Sequence, residues 1–301
     1  MNAAARGAVG RSLGGARVPR GLPRRAARRE LAGVPRAPHL LRLSWKPTAD
    51  AARASGVYPF DVPAVRALDA LDLDAPVVCF VGENGSGKST LLEAIAVAAE
   101  LPTLGAADAV DDATLAGPRA LAAVLRLAWS VRTRRGFFLR AEDFFGHLRR
   151  RALTTARVAR EERERRARAP GDRDAWSADE PDADAEAAAR LLPRVDARSH
   201  GESFLDLFAT RMHDGLYLLD EPEAPLSPRR QLALLAIVDR AVRHGAQCVI
   251  ATHSPILLAY PGARIYAFDD PPVREVPYAE LPHVTLTRAF LEAPERFLKH
   301  L

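Results

Sequence analysis

An α/β domain with a doubly wound, mostly parallel sheet is the fold class this sequence predicts, and three observations predict it. The runs PVVCFVG at 76–82, GLYLLD at 215–220 and AQCVIATH at 246–253 are continuously apolar rather than alternating. Continuity marks a strand covered on both faces, as in a parallel sheet flanked by helices. The first run passes through glycines into STLLEAIAVAAEL at 89–101, which has helical period. The second and third are separated by QLALLAIVDRAVRHG, whose helical pattern ends at a C-capping glycine, Gly245. Strand, helix and strand in that order make a βαβ unit.

Taken in order, the elements begin with an arginine-rich tail. Residues 1–38 hold nine Arg, no Lys and one Glu, without apolar periodicity, and the expectation is a disordered basic tail ahead of one domain at 39–301. Residues 40–74 mix short apolar stretches with Pro and Gly, a small N-terminal β region. The helix at 89–101 carries Leu91, Ile95 and Ala98 on one stripe beside Leu92 and Ala99. Residues 148–197 read as a variable insertion. Its helix at 148–169 pairs Glu161 with Arg165, Glu162 with Arg166 and Glu164 with Arg168, and leads into the acidic loop GDRDAWSADEPDADAE. It lacks sustained a/d heptads, so a solvated helical insertion is expected rather than a long coiled-coil arm. HVTLTRAFLEAPERFLKHL at the C-terminus reads as one or two short helices closing the domain.

Composition narrows the classes. No window approaches the roughly 18 apolar residues of a membrane span, and the N-terminus lacks the apolar core of a secretory signal. A cytoplasmic protein without direct membrane insertion is expected. Cys79 and Cys248 lie inside apolar runs and read as buried thiols, not as a disulfide or metal site. The net charge of +5 is misleading, because residues 1–38 contribute +8 and leave the rest at −3. Only Lys46, Lys88 and Lys299 are lysines in a chain with 43 basic residues. One of the three falls in the glycine loop, where a compact point charge suits a phosphate.

That loop, GENGSGKS at 82–89, fits G-x-x-x-x-G-K-[ST] at every fixed position. Gly82, Gly85 and Gly87 free the backbone around Glu83, Asn84 and Ser86, so that successive N–H groups and the following helix start can cradle a phosphate. Lys88 is expected to reach the β- and γ-phosphates, Ser89 to ligate Mg²⁺, and Thr90 to help hold the α-phosphate. In YLLDEP at 217–222 the buried strand ends in two carboxylates. Asp220 is expected to hold Mg²⁺ through a water, and Glu221 to orient or deprotonate the attacking water. His253, 33 residues after Asp220, ends the next buried strand, where α/β sheets place ligand-contacting groups. ATP and Mg²⁺ are therefore the expected ligands, and ATP hydrolysis the expected activity.

The phosphate loop, the acidic pair and the histidine together resemble an ATP-binding cassette. RSHGESFLDLF at 198–208 resembles the cassette's signature helix start, with Ser199, Gly201 and Glu202 at matching positions and His200 replacing a glycine. GFFLRAEDFF, SHGESF, LYLLDEPEAPLSPRRQLALL and IATHSPILLAYPGARIY look like the stand-alone bacterial AAA/ABC-type ATPases, distant relatives of RecF and SMC proteins. The resemblance, from Tyr58 to Leu301, implies a three-layer P-loop NTPase fold. It also implies an ATP-dependent head-to-tail homodimer in which Ser199, Gly201 and Glu202 cap the nucleotide of the other subunit. EAPLSP at 223–228 takes the place of the loop linking the two sites. GFFLRAEDFF supplies the loop that usually carries a glutamine; none stands there, and Arg140 or Glu142 would face the metal or γ-phosphate. Tyr58 stands where an adenine-stacking aromatic would be, or is a core aromatic. Two readings of function follow: a stand-alone ATPase acting on DNA or a partner protein in repair or defence, or the ATP-binding subunit of an ABC transporter. The altered signature and the missing glutamine favour the first.

Overall fold

The computed structural model describes residues 38–104, 116–141, 157–158 and 200–299. The basic tail at 1–37, most of the 148–197 insertion, Glu142 and Ser199 lie outside the described residues.

Among the described residues ten strands follow in chain order: β1 Leu40–Trp45, β2 Ala70–Asp72, β3 Val77–Val81, β4 Thr103–Leu104, β5 Leu125–Trp129, β6 Gly136–Arg140, β7 Leu216–Asp220, β8 Gln247–Ala251, β9 Arg264–Ala267 and β10 Arg274–Glu275. Seven form the main sheet, in the order β10-β9-β3-β8-β7-β6-β4. Every pairing in it is parallel except β10 with β9. The N-terminal β region is a separate antiparallel sheet, β2-β1-β5. The main helices are α1 Lys88–Ala98, α2 Ala116–Val124, α3 His200–Arg211, α4 Pro228–Arg243 and α5 Pro282–Glu292.

The continuous apolar runs are the central strands, because each feeds two cores at once. Val78 and Phe80 of β3 point into one core with α1, α2 and the small sheet. Val77, Cys79 and Val81 point into the other, with α3, α4 and α5. Alternation along the strand thus divides between two apolar layers instead of between core and water. Both cysteines are fully buried and free, and burial pushes the Cys79 thiol up to about 12.

Two devices lock the strands together. Gly136 opens β6 with φ +120°, and a Cβ there would lie 1.8 Å from the Leu216 carbonyl oxygen, so the β6–β7 approach requires glycine. Gln247 is fully buried at the start of β8. Its amide donates to the carbonyls of Leu40 (2.8 Å), Leu73 (2.6 Å) and Ala75 (3.2 Å), and its oxygen accepts from the Leu40 N–H (2.7 Å). The small sheet is fastened to the main one through this side chain. The βαβ unit β7-α4-β8 matches the sequence expectation, with Gly245 at φ +96° just past the helix.

Candidate nucleotide-binding site

Because β9, β3, β8, β7 and β6 run parallel, their carboxyl ends share one edge, and residues from Gly82 to Asp269 meet there. The glycine loop leaves β3 and enters α1. Gly82, at φ +152°, is pressed so closely that a Cβ would meet Asp269 Oδ1 at 2.9 Å and Phe268 Cβ at 3.1 Å. Asp269, just past β9, accepts the Glu83 N–H at 2.5 Å and pins the loop to the sheet. Lys88 is 3% exposed and folds back on its own loop, donating to the carbonyls of Gly82 (2.5 Å) and Glu83 (2.9 Å). Burial lowers its pKa, while the charges of Glu221, Asp220, Asp269 and Glu83 oppose that shift. Ser86 Oγ is buried in the loop without a protein partner.

The loop meets the acidic strand through one hydrogen bond: Ser89 Oγ donates to Asp220 Oδ1 at 3.1 Å. The Asp220 carboxyl is pushed up to about 7, first by burial, with Glu93 and Glu221 adding to the rise and Ser89 and Arg140 opposing it. Glu221 follows with φ +48°, a left-handed backbone that non-glycine residues rarely adopt. Its N–H is held by the Ala251 carbonyl at 2.9 Å. The turn aims its carboxylate at His253, whose Nε2 lies 3.7 Å from Glu221 Oε1. The His253 N–H donates to Glu223 Oε1 at 2.7 Å, so the acidic loop fixes the histidine's backbone. His253 Nε2 is itself buried and unpartnered in hydrogen bonding.

Tyr58, Ser89, Glu93, Arg140, Ala141, Asp220 and Glu221 line a cavity of about 290 Å³ beside this pair. Tyr58 is half exposed, lies against Gly117, and its hydroxyl is 3.3 Å from Thr90 Oγ1. It is therefore not a core aromatic.

The structure brings the phosphate loop, Asp220, Glu221 and His253 together. It does not bring Glu202 to them. Gly201 and Glu202 lie in the first turn of α3, and Glu202 pairs with Arg230 of α4 at 3.2 Å. Several contributors escaped sequence reasoning. Glu93 was hidden in an apolar helix stripe, although a carboxylate four residues after Ser89 shares its helical face. Asp269 and His283 carried no motif, and Glu223 stood in EAPLSP as part of a linking loop, with no sign that it would hold His253. His283, at the start of α5, has a buried Nε2 without a hydrogen-bond partner, and its pKa is lowered by burial and by His253.

The donor set fits Mg²⁺. Ser89 and Asp220 offer hard oxygens already aligned on each other, as magnesium prefers when substrate phosphates complete its shell. Among the described residues no group of three or more His, Cys, Asp or Glu could hold a metal. An ion here would thus depend on nucleotide oxygens as well as the protein's.

A loop with this geometry joined to an acidic strand defines the P-loop NTPases. Comparison with known proteins agrees: a family model described as "AAA domain" matches residues 59–100, and one described as "AAA domain, putative AbiEii toxin, Type IV TA system" matches residues 203–259. Over these two stretches the chain is similar to AAA-type P-loop ATPases, as a distant relative. No curated protein matches it. Solved structures similar to it include "An inward-facing conformation of a putative metal-chelate type ABC transporter", at 18% identity over 84% of this chain and 89% of that one, with TM-score 0.41. Another is an SMC head domain from Thermotoga maritima, at 15% identity over 79% and 98%, with TM-score 0.35. A third is an ATP-binding cassette of an ABC transporter in its ADP conformation, at 16% identity over 67% and 80%, with TM-score 0.29. Among the described residues no helix is long and apolar enough to cross a membrane.

Proposed function

We propose that this chain binds ATP with Mg²⁺ and hydrolyses it, and that two copies close on the nucleotide head to tail. The observation that carries the reading is the Ser89–Asp220 hydrogen bond at the head of the glycine loop, with the Glu221 carboxylate turned towards His253 beside it. The loop amides and Lys88 bind the phosphates, Lys88 trading its bonds to the Gly82 and Glu83 carbonyls for phosphate oxygens. Ser89 and Asp220 hold Mg²⁺, which supplies positive charge against the phosphates. Glu221 orients a water and accepts its proton as the oxygen attacks the γ-phosphorus. The bond from that phosphorus to the bridging oxygen breaks, leaving ADP and inorganic phosphate. His253 hydrogen-bonds the γ-phosphate, which would give its buried Nε2 the partner it lacks in the protein.

Dimerisation is supported by the resemblance of residues 198–208 to a signature helix start and by the exposure of Glu202, whose side chain is 57% accessible in its own chain. Action on DNA or a partner protein in repair or defence is the process-level part of this reading, supported by the resemblance and by the basic residues 1–38.

The test is ATP turnover against protein concentration, with Glu221→Gln compared by size exclusion with and without MgATP. A supralinear rate, a fall of about 100-fold or more in Glu221→Gln, and a dimer of that variant trapped by ATP are expected. Retained turnover in Glu221→Gln would overturn the base, and a linear rate with a monomer throughout would overturn the composite site.

A further inference from the structure

Glu221 and His253 follow different strands, and a ring of hydrogen bonds closes the two chain segments that carry them. After Glu221 the chain turns at once: the Ala224 N–H donates to the Glu221 carbonyl at 3.0 Å, and the Leu226 N–H to the Glu223 carbonyl at 2.8 Å. This loop runs into the first turn of α4, where the Gln231 N–H donates to the Ser227 carbonyl at 3.0 Å. His253, for its part, stands between Thr252 and Ser254, both buried. The Thr252 N–H donates to the Phe80 carbonyl of β3 at 3.0 Å, and Thr252 Oγ1 accepts the Ser254 N–H at 3.0 Å.

Gln231 joins the two segments. Ser254 Oγ accepts the N–H groups of Ile256 (3.1 Å) and Leu257 (3.2 Å), which starts the short helix Pro255–Leu258. A hydroxyl has two lone pairs and one hydrogen, so Ser254 is left with its hydrogen to give, and Gln231 Oε1 receives it at 2.6 Å. That bond turns the amide nitrogen the other way, where Nε2 donates to the Leu226 carbonyl at 3.1 Å. A second tie runs beside it, the 2.7 Å bond from the His253 N–H to Glu223 Oε1. Two ties fix both a separation and an angle, where one would leave a hinge. Glu221 Oε1 and His253 Nε2 are thereby held 3.7 Å apart.

Resting on the reading of Glu221 and His253 given above, we propose that Gln231 is a positioning residue for hydrolysis: by joining Leu226 to Ser254 it fixes the loop after Glu221 against the loop that carries His253. One loop orients the attacking water and the other the γ-phosphate, so slack between them misaligns the attack while the groups that bind nucleotide stay in place. A misplacement of about 1 Å can cost on the order of 100-fold in such a step. The bridge serves chemistry, not affinity.

Full-chain wild type, Gln231→Met, Ser254→Ala and the double variant are compared for ATP turnover at saturating MgATP and for affinity for a non-hydrolysable ATP analogue. Methionine keeps the length of the side chain and drops both hydrogen bonds. Turnover should fall about 10- to 100-fold in Gln231→Met while analogue affinity stays within about threefold. Because Gln231 and Ser254 are two halves of one link, the loss in the double variant should fall well short of the product of the single losses. Affinity and turnover lost together, full turnover in Gln231→Met, or losses that multiply in the double variant would each overturn the proposal. Should Gln231→Met not fold, Gln231→Glu decides: it keeps an oxygen for Ser254, loses the donor to Leu226, and should lower turnover alone, and undiminished turnover there would overturn the proposal. Wild type that binds the analogue without turning ATP over would refute the hydrolase reading, and the proposal with it.

Discussion

Asp220 combines a buried carboxyl with a task that needs charge. Its pKa near 7 is set first by burial, so the folded metal-free protein holds a proton there that the unfolded chain has lost above about pH 4. Folded stability therefore falls as pH rises from about 4 towards 7, and the full penalty is present above 7. Asp220→Asn keeps an acceptor for Ser89 and removes the charge. In thermal melts without metal it should be more stable than wild type at pH 8, by several degrees, and the gap should close as pH falls towards 4. A gap that does not change with pH would mean that Asp220 is not the titrating group. Glu221 stands in a different balance. A left-handed non-glycine backbone costs on the order of 1–3 kcal/mol, and such strain gathers at functional sites. Glu221→Gly should therefore stabilise the fold modestly in denaturant titration while ATP turnover falls with the lost carboxylate.

At the scale of elements, the packing of strands rests on a few intolerant positions. A Cβ at Gly136 would fall 1.8 Å from the Leu216 carbonyl oxygen, and φ is +120° there, so Gly136→Ala must push β6 from β7. A loss of about 3 kcal/mol or more is expected by chemical denaturation, with Arg140 displaced from Asp220 as a consequence. Gln247→Ala removes the partner of four backbone groups that tie β1 and the 73–75 segment to β8. Leaving buried carbonyls and an N–H unsatisfied should cost on the order of 3 kcal/mol. Unchanged melting in Gln247→Ala would show that water replaces it. The sequence announced neither role, since a single glutamine at the head of an apolar run looks like an ordinary strand end.

Over the whole molecule, the parallel sheet converts separation along the chain into proximity: Gly82, Arg140, Asp220, His253 and Asp269 lie at neighbouring strand ends. The sequence by itself determined the class. GENGSGKS, the DE pair and the three continuous apolar runs identify a phosphate loop and an acidic strand in a parallel α/β sheet, because local backbone needs and strand burial are written in residue type and order. It also placed the βαβ unit and the buried thiols correctly. Only the tertiary structure decided which other groups stand around the loop. Glu93, Asp269 and His283 have no motif, and their place at the site follows from strand order and helix packing. Whether Tyr58 faced the core or the cavity was undecidable from YPF, since both uses call for an aromatic, and the fold settled it by setting the ring against Gly117. Motifs record what a backbone must do locally, whereas long-range pairing of single side chains leaves no pattern in one sequence to read.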